Sequence, residues 1–159
     1  MRRKDREITG IEEIETIISR AEVCRIALTG NNIPYIVTMN FGYSGGEVKR
    51  LWFHCATKGK KLDMIRRNNY VCFELDTDHN LYKGEKACDF NMGYSSVVGW
   101  GNIEIVTDED EKQHGLDCLM FHYSGHKKYS YKKEAFERML VLRLDILQMT
   151  GKKCLPFSP

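Results

Sequence analysis

Ile11, Ile14, Ile17, Ile18 and Ala21 recur at the three-to-four-residue spacing of one helical face, and Glu12 and Glu13 open the segment where a helix dipole favours acid, which predicts a first amphipathic helix over 11–22. Strand-like runs follow at 24–29 and 34–41, joined by the turn residues Gly30-Asn31-Asn32, and a glycine-containing hairpin at 42–46 leads to a third run at 51–56. A short helix is expected near 59–68 and a strand at 70–75, after which 76–90 reads as polar and irregular. A long strand pattern covers 94–106, broken by Gly99 and Gly101, which suggest a bulge, a barrel corner or close approach of another backbone. Asp108 with Glu111 forms a possible capping box for a helix to about 124, whose apolar stripe is Leu116, Leu119, Met120 and Tyr123. In the last strand, 139–147, Leu140, Leu142, Leu144 and Ile146 alternate with Arg143 and Asp145. Six hairpin-rich strands with a few helices argue for an antiparallel barrel with helices at its rim, not a doubly wound sheet.

The segment LWFHCATKGKKLDMI, 51–65, carries the most chemistry. A strand ends at His54, Cys55 and Ala56, and a polar turn brings Gly59, Lys60 and Lys61 to the start of a helix that continues through Leu62 and Ile65. Amides at a helix start lack intrahelical acceptors and sit at the positive end of the dipole, so this arrangement can hold a phosphate. A solvated helix start is the plainer explanation for the two lysines alone. His54 shares a strand face with Trp52 and Ala56, whereas Leu51, Phe53 and Cys55 share the other. An isolated strand histidine is usually a satisfied polar side chain, and Cys55 is better read as core than as a reactive thiol.

Composition narrows the partners. The 159 residues suit one domain, 1–159, and the net charge of +2 argues against a general nucleic-acid coat protein. No C-x-x-C occurs among the six cysteines, no apolar core follows MRRKDREI as a signal peptide would require, and no run reaches membrane-spanning length. The expectation is a cytoplasmic protein with reduced thiols, no bound metal, and no membrane or nucleic-acid partner. His79, His114 and His126 are expected at the surface. Tyrosines interleaved with lysines at 127–133 could grip a single strand of nucleic acid, but a solvated loop explains them better.

Four segments, MRRKDREI, PYIVTMNFGY at 34–43, LWFHCATKGKKLDMI and YSSVVGWGNIEIV at 94–106, with CLMFHYSG at 118–125, resemble the FMN-binding split-barrel proteins related to pyridoxamine 5'-phosphate oxidase, and within them the 5-nitroimidazole-resistance (Nim) group. Thr38 stands where many members carry proline, and Trp100 where that strand more often has phenylalanine. The resemblance implies a mainly β (α+β) fold, a six-stranded antiparallel split β-barrel of Greek-key type with peripheral helices. It also implies a homodimer with one FMN in each of two clefts at the subunit interface. Lys60 and Lys61 then look like the phosphate-binding pair, with Gly59 and Leu62 beside them and Ser95, Ser96 and Val97 completing the pocket. Val37, Thr38, Met39 and Asn40 would run along the isoalloxazine, His54, Cys55 and Ala56 near the ribityl chain and ring, and His122 and Tyr123 toward the partner's flavin. The implied activity is an FMN-dependent oxidoreductase that reduces small aromatic nitro compounds, with His54 positioning the substrate or supplying a proton. The alternative is a flavin store or sensor without turnover.

Overall fold

A computed structural model describes residues 3–30, 33–126 and 129–154. In chain order the elements are β1 (Glu7–Ile8), α1 (Ile11–Arg20), β2 (Cys24–Gly30), β3 (Ile33–Met39), β4 (Gly42–Ser44), β5 (Arg50–Ala56), α2 (Lys60–Arg67), β6 (Tyr70–Tyr82), β7 (Asn91–Ile105), α3 (Glu109–Ser124), α4 (Lys133–Glu137) and β8 (Met139–Cys154). All strands join one antiparallel sheet in the order β3-β2-β6-β7-β8-β5-β4, with β1 added on β8. β3 and β4 end that path, so the barrel is split there, and the six long strands are those the hydrophobic pattern predicts.

Alternation builds the core. β2 turns Cys24, Ile26 and Leu28 inward, β6 Val71, Phe73 and Leu75, and β5 Leu51, Phe53 and Cys55, and all of these are buried. Ile14, Ile17 and Ile18 of α1 join that core, where Ile8 and Ile14 crowd Gly151 so closely that an added Cβ would lie 2.9 Å from Ile8 Cβ. A second, smaller cluster lies on the other side of β5. There Trp52, Val141 and Val106 are covered by Leu116 of α3, and Gly115 lets the helix approach Trp52.

The glycines of β7 do what their placement suggests. Gly99 faces Phe73, and an added Cβ at Gly101 would lie 2.1 Å from the Asp145 carbonyl oxygen. Between Trp100 and Gly101 the pairing with β8 slips, from Trp100 opposite Gln148 to Gly101 opposite Ile146, so Leu147 is the extra residue of a bulge. The predicted cap of α3 is present in its main half, since the Glu111 amide donates to Asp108 Oδ1 at 2.8 Å.

Several boundaries differ from the pattern. β6 continues to Tyr82 through residues expected to be irregular, and β8 runs on to Cys154. The β6 extension is polar and largely exposed, and ladder hydrogen bonds to β7 sustain it rather than burial, whereas the β8 extension lies between β7 and β1 and buries Gly151 and Cys154. Residues 42–44 pair with β5 instead of forming only a turn, α1 ends at Arg20, and α4 occupies part of the expected loop. Asn31, Asn32, Lys127 and Lys128 lie outside the described residues. Among the described residues no helix is long and apolar enough to cross a membrane, and no group of three metal-ligating side chains converges.

Candidate functional site

The polar turn after β5 and the start of α2 form the most unusual local environment. α2 is anchored from below by Leu62, Met64 and Ile65, which are buried in the core, so its first turn is held at the barrel rim. Gly59, its N-cap, has φ +141°, a conformation that side chains with a Cβ rarely adopt. The Gly59 carbonyl accepts from the Leu62 amide at 3.0 Å and the Asp63 amide at 3.3 Å. That leaves the amides of Gly59, Lys60 and Lys61 without an intrahelical acceptor, and no side chain caps the helix. α3 shows the ordinary solution, an aspartate cap and an acidic first turn. α2 has one acid in its first turn, Asp63, paired with Arg66 at 3.2 Å, and places two ammonium groups at the positive end of its dipole, which is unfavourable until an anion arrives.

Neither lysine is ion-paired among the described residues; Lys60 Nζ lies 4.4 Å over the ring of Tyr35 on β3. That contact brings β3 to the basic helix start. β3 pairs only with β2, so the backbone on its other side is an open sheet edge with donors and acceptors to offer. Tyr35 is absent from the residues expected from sequence, because nothing local in the chain signals a contact between position 35 and position 60.

On β3, Thr38 is exposed, Val37 half-buried and Met39 buried in the barrel, and Asn40 follows, exposed, at the strand's end. On β5, His54 and Ala56 are exposed and Cys55 is buried. Burial pushes the Cys55 thiol up, and the nearby Lys61 charge opposes this only in part, so Cys55 behaves as core. Leu62 and Val97 are fully buried, backbone included, and the Leu62 amide is used by the Gly59 carbonyl, so within this chain neither presents a surface to a ligand.

Within one chain, the expected residues fall into three places. His54, Cys55, Ala56, Gly59, Lys60, Lys61 and Leu62 follow one another around the turn, and Tyr35 ties them to the β3 edge that carries Val37, Thr38 and Met39. Ser95, Ser96 and Val97 lie elsewhere: Ser95 and Ser96 pair with Lys153 and Lys152 near the end of β8, whereas Cys55 and Ala56 pair with Leu140 and Met139 at its start. Ser95 is buried. His122 and Tyr123 of α3 turn their polar ends to their own chain. His122 Nε2 is 2.8 Å from the Ala21 carbonyl oxygen, and the Tyr123 hydroxyl donates to the Glu22 carbonyl at 2.8 Å while accepting from the Phe41 amide at 3.1 Å. They hold α3 to the chain just after Asn40. Burial holds the His122 imidazole below its ordinary pKa, more than its carbonyl contact raises it.

An antiparallel split barrel with an open edge strand beside a basic helix start is a class of fold shared by many solved proteins. The chain is 34% identical to a proposed 5-nitroimidazole antibiotic resistance protein from Bacteroides thetaiotaomicron, covering 92% of this chain and 86% of that one with a TM-score of 0.80. It shares its fold with an FAD- and haem-binding protein from Mycobacterium smegmatis at 17% identity, with a TM-score of 0.82 over 97% of this chain and 77% of that one. The same holds for a flavocytochrome from Azotobacter vinelandii, at 17% identity and a TM-score of 0.79 over 100% of this chain and 75% of the other. No curated protein matches the sequence. The family model for pyridoxamine 5'-phosphate oxidase matches residues 11–153, and the chain belongs to that family.

Proposed function

We propose that the protein binds FMN and acts as an oxidoreductase on small aromatic nitro compounds, carrying nitro groups toward the amine. The observation that carries the flavin reading is the start of α2: an uncapped helix N-terminus, Gly59 at positive φ and two lysines with no ion-pair partner among the described residues. These residues fit a phosphate monoester, which would accept from the free amides and offset both charges. The adjacent β3 edge suits the polar rim of an isoalloxazine. A bound flavin would supply the electron transfer, while the protein orients it and shields it from solvent. His54, exposed on the strand that leads into the phosphate turn, is the side chain in place to hold the substrate or hand it a proton. The nitro-compound assignment draws its support from the 34% identity to the Bacteroides protein.

A homodimer belongs to the same reading. The outer face of the sheet presents a row of Ile36, Ala27, Cys72 and Trp100 across β3, β2, β6 and β7, with Ile36 65% exposed and Leu147, nearby on β8, 62% exposed. Such a contiguous apolar face suits a second copy. Ser95 and Ser96 sit at the far end of β8 from Lys60; Ser95 is buried in its own barrel, so Ser96, which is partly exposed, is the one that would complete a phosphate pocket as a contribution from the other subunit.

The experiment is anaerobic turnover of a 5-nitroimidazole by the purified protein and by His54→Ala, with bound flavin measured by absorbance. Flavin is expected in both and turnover in the unmodified protein alone. Flavin without turnover in the unmodified protein would leave a flavin store or sensor, full turnover in His54→Ala would remove the role of His54, and a colourless protein would reject the reading.

A further inference from the structure

A second hollow, of about 490 Å³, lies between β4 and α3, away from the turn at Lys60. Tyr43 and Ser44 wall one side, and His114, Cys118 and Phe121 line the other, none of them a residue of the flavin reading. His114 and Cys118 are one helical turn apart on α3, and the Cys118 Sγ lies 3.5 Å from His114 Nε2. His114 is held in turn by the ring of Trp52, edge-on at 5.3 Å. The Trp52 indole N–H donates to the Ser44 hydroxyl at 2.9 Å, and the Tyr43 hydroxyl donates to Glu15 Oε1 at 2.7 Å, so the wall is fixed by its own hydrogen bonds. Among the described residues lining the hollow the carboxylate is Asp117, which accepts from Gln113 Nε2 at 2.9 Å.

We propose that this hollow is a covalent binding site for a small, flat, apolar electrophile of the α,β-unsaturated carbonyl class, with Cys118 as nucleophile and His114 as its base. A nucleophile and a base within hydrogen-bonding reach, the base steadied by a third group, is the arrangement that activates a thiol. The hollow has the size of a small-ligand site, and the Tyr43 and Phe121 rings offer flat apolar surfaces to an unsaturated molecule. In the step, His114 Nε2 takes the thiol proton as the sulfur bonds to the β-carbon. The electron pair of the alkene moves to the α-carbon, which then takes the proton back from His114. One S–C bond and one C–H bond form, one S–H bond and one C=C π bond are lost, and no oxidant, reductant or leaving group is required.

The six cysteines stand as thiols, and Cys88, exposed on the surface, is the internal control. The protein is treated with limiting N-phenylmaleimide, an apolar acceptor of this class, and the labelled cysteines are mapped and timed by mass spectrometry. Cys118 is expected to react faster than Cys88 by about tenfold or more, and His114→Gln is expected to remove that advantage while Cys88 keeps its rate. A melting temperature equal to that of the unmodified protein shows that the variant is folded. If His114→Gln does not fold, the unmodified protein still decides, by comparing N-phenylmaleimide with a negatively charged maleimide: the site demands a preference for the apolar reagent at Cys118 and none at Cys88. Equal rates at Cys118 and Cys88, an unaltered Cys118 rate in a folded His114→Gln, or no reagent preference would each overturn the proposal. None of these outcomes depends on whether flavin binds.

Discussion

Replacing Lys60 and Lys61 together with alanine is expected to separate the two properties of the α2 start, with opposite signs. Without an anion, each ammonium sits against the positive end of the helix dipole, an unfavourable placement of about 0.3–1 kcal/mol per charge. Removing both relieves about 0.6–2 kcal/mol, and alanine is at least as good a helix former as lysine. Against this stands the contact of Lys60 Nζ with the Tyr35 ring at 4.4 Å, which at an exposed site is worth about 0.5–1 kcal/mol. The net for the flavin-free protein runs from nearly neutral to about 1.5 kcal/mol more stable, which at this chain length is a rise in Tm of up to roughly 6 °C. Flavin affinity should move the other way. Two charge-assisted contacts to a phosphate contribute about 1.5–3 kcal/mol each, so the double variant should bind FMN at least about a hundredfold more weakly. Urea denaturation of the flavin-free proteins gives the first quantity, and quenching of flavin fluorescence on titration gives the second. A flavin-free variant destabilised by more than about 1 kcal/mol would mean that the lysines serve the fold. Unchanged FMN affinity would mean that the phosphate is held elsewhere. Either result refutes the argument from an uncompensated helix start.

Three further outcomes follow from the packing and electrostatics. At Gly42 an added Cβ would lie 2.3 Å from the Leu119 amide nitrogen and 2.4 Å from the Cys118 carbonyl carbon; because both are helix backbone, Gly42→Ala should lose about 1–3 kcal/mol, read by urea denaturation. His122 has a folded-state pKa below its ordinary 6.5, so the unfolded chain binds the extra proton first: its contribution to stability is complete above that value and is lost as pH falls from about 6.5 through the folded pKa. His122→Gln should therefore narrow the stability difference between about pH 8 and about pH 5, and an identical difference in both proteins would contradict the assignment. Ile36 is 65% exposed, so Ile36→Asp should change the stability of the folded chain by less than about 0.5 kcal/mol while shifting sedimentation toward the monomer; an unaltered sedimentation profile would place the subunit contact on another face.

Much of the barrel is legible from alternation because one face of each strand is buried: Leu51, Phe53 and Cys55 against Trp52, His54 and Ala56 is read in the same way from sequence and from structure. Trp52 shows the limit. It lies on the outward face yet is 1% exposed, because α3 covers it, and period-two reasoning has no view of a helix that arrives sixty residues later. The tail of β8 is hidden by the bulge at Leu147, which breaks the alternation, and the tail of β6 for a different reason. Asp78 to Tyr82 is exposed, and its ladder to β7 needs no apolar side chains at all. The phosphate turn is readable because its signals are local: a glycine, two lysines and a helix pattern in sequence. Its tie to Tyr35 and the distance of Ser95 from it are not readable, since both depend on which strands become neighbours and in what register.

The bulge at Leu147 makes β8 a strand with two phases. Before it the even-numbered residues Leu142 and Leu144 point into the barrel, and after it the odd-numbered Met149 and Gly151 do. One supernumerary residue therefore acts as a parity switch, letting a single sixteen-residue strand serve both ends of the barrel. Deleting Leu147 would therefore leave both halves of β8 on their present faces. Ile146 would be followed directly by Gln148, the pairing with Gly101 and Trp100 would run on without a slip, and Met149 and Gly151 would still point inward, with only the local bend of the bulge lost. A homologous chain that lacks this residue should show unbroken alternation through the same place, whereas a deletion elsewhere in β8 would exchange the faces of one half.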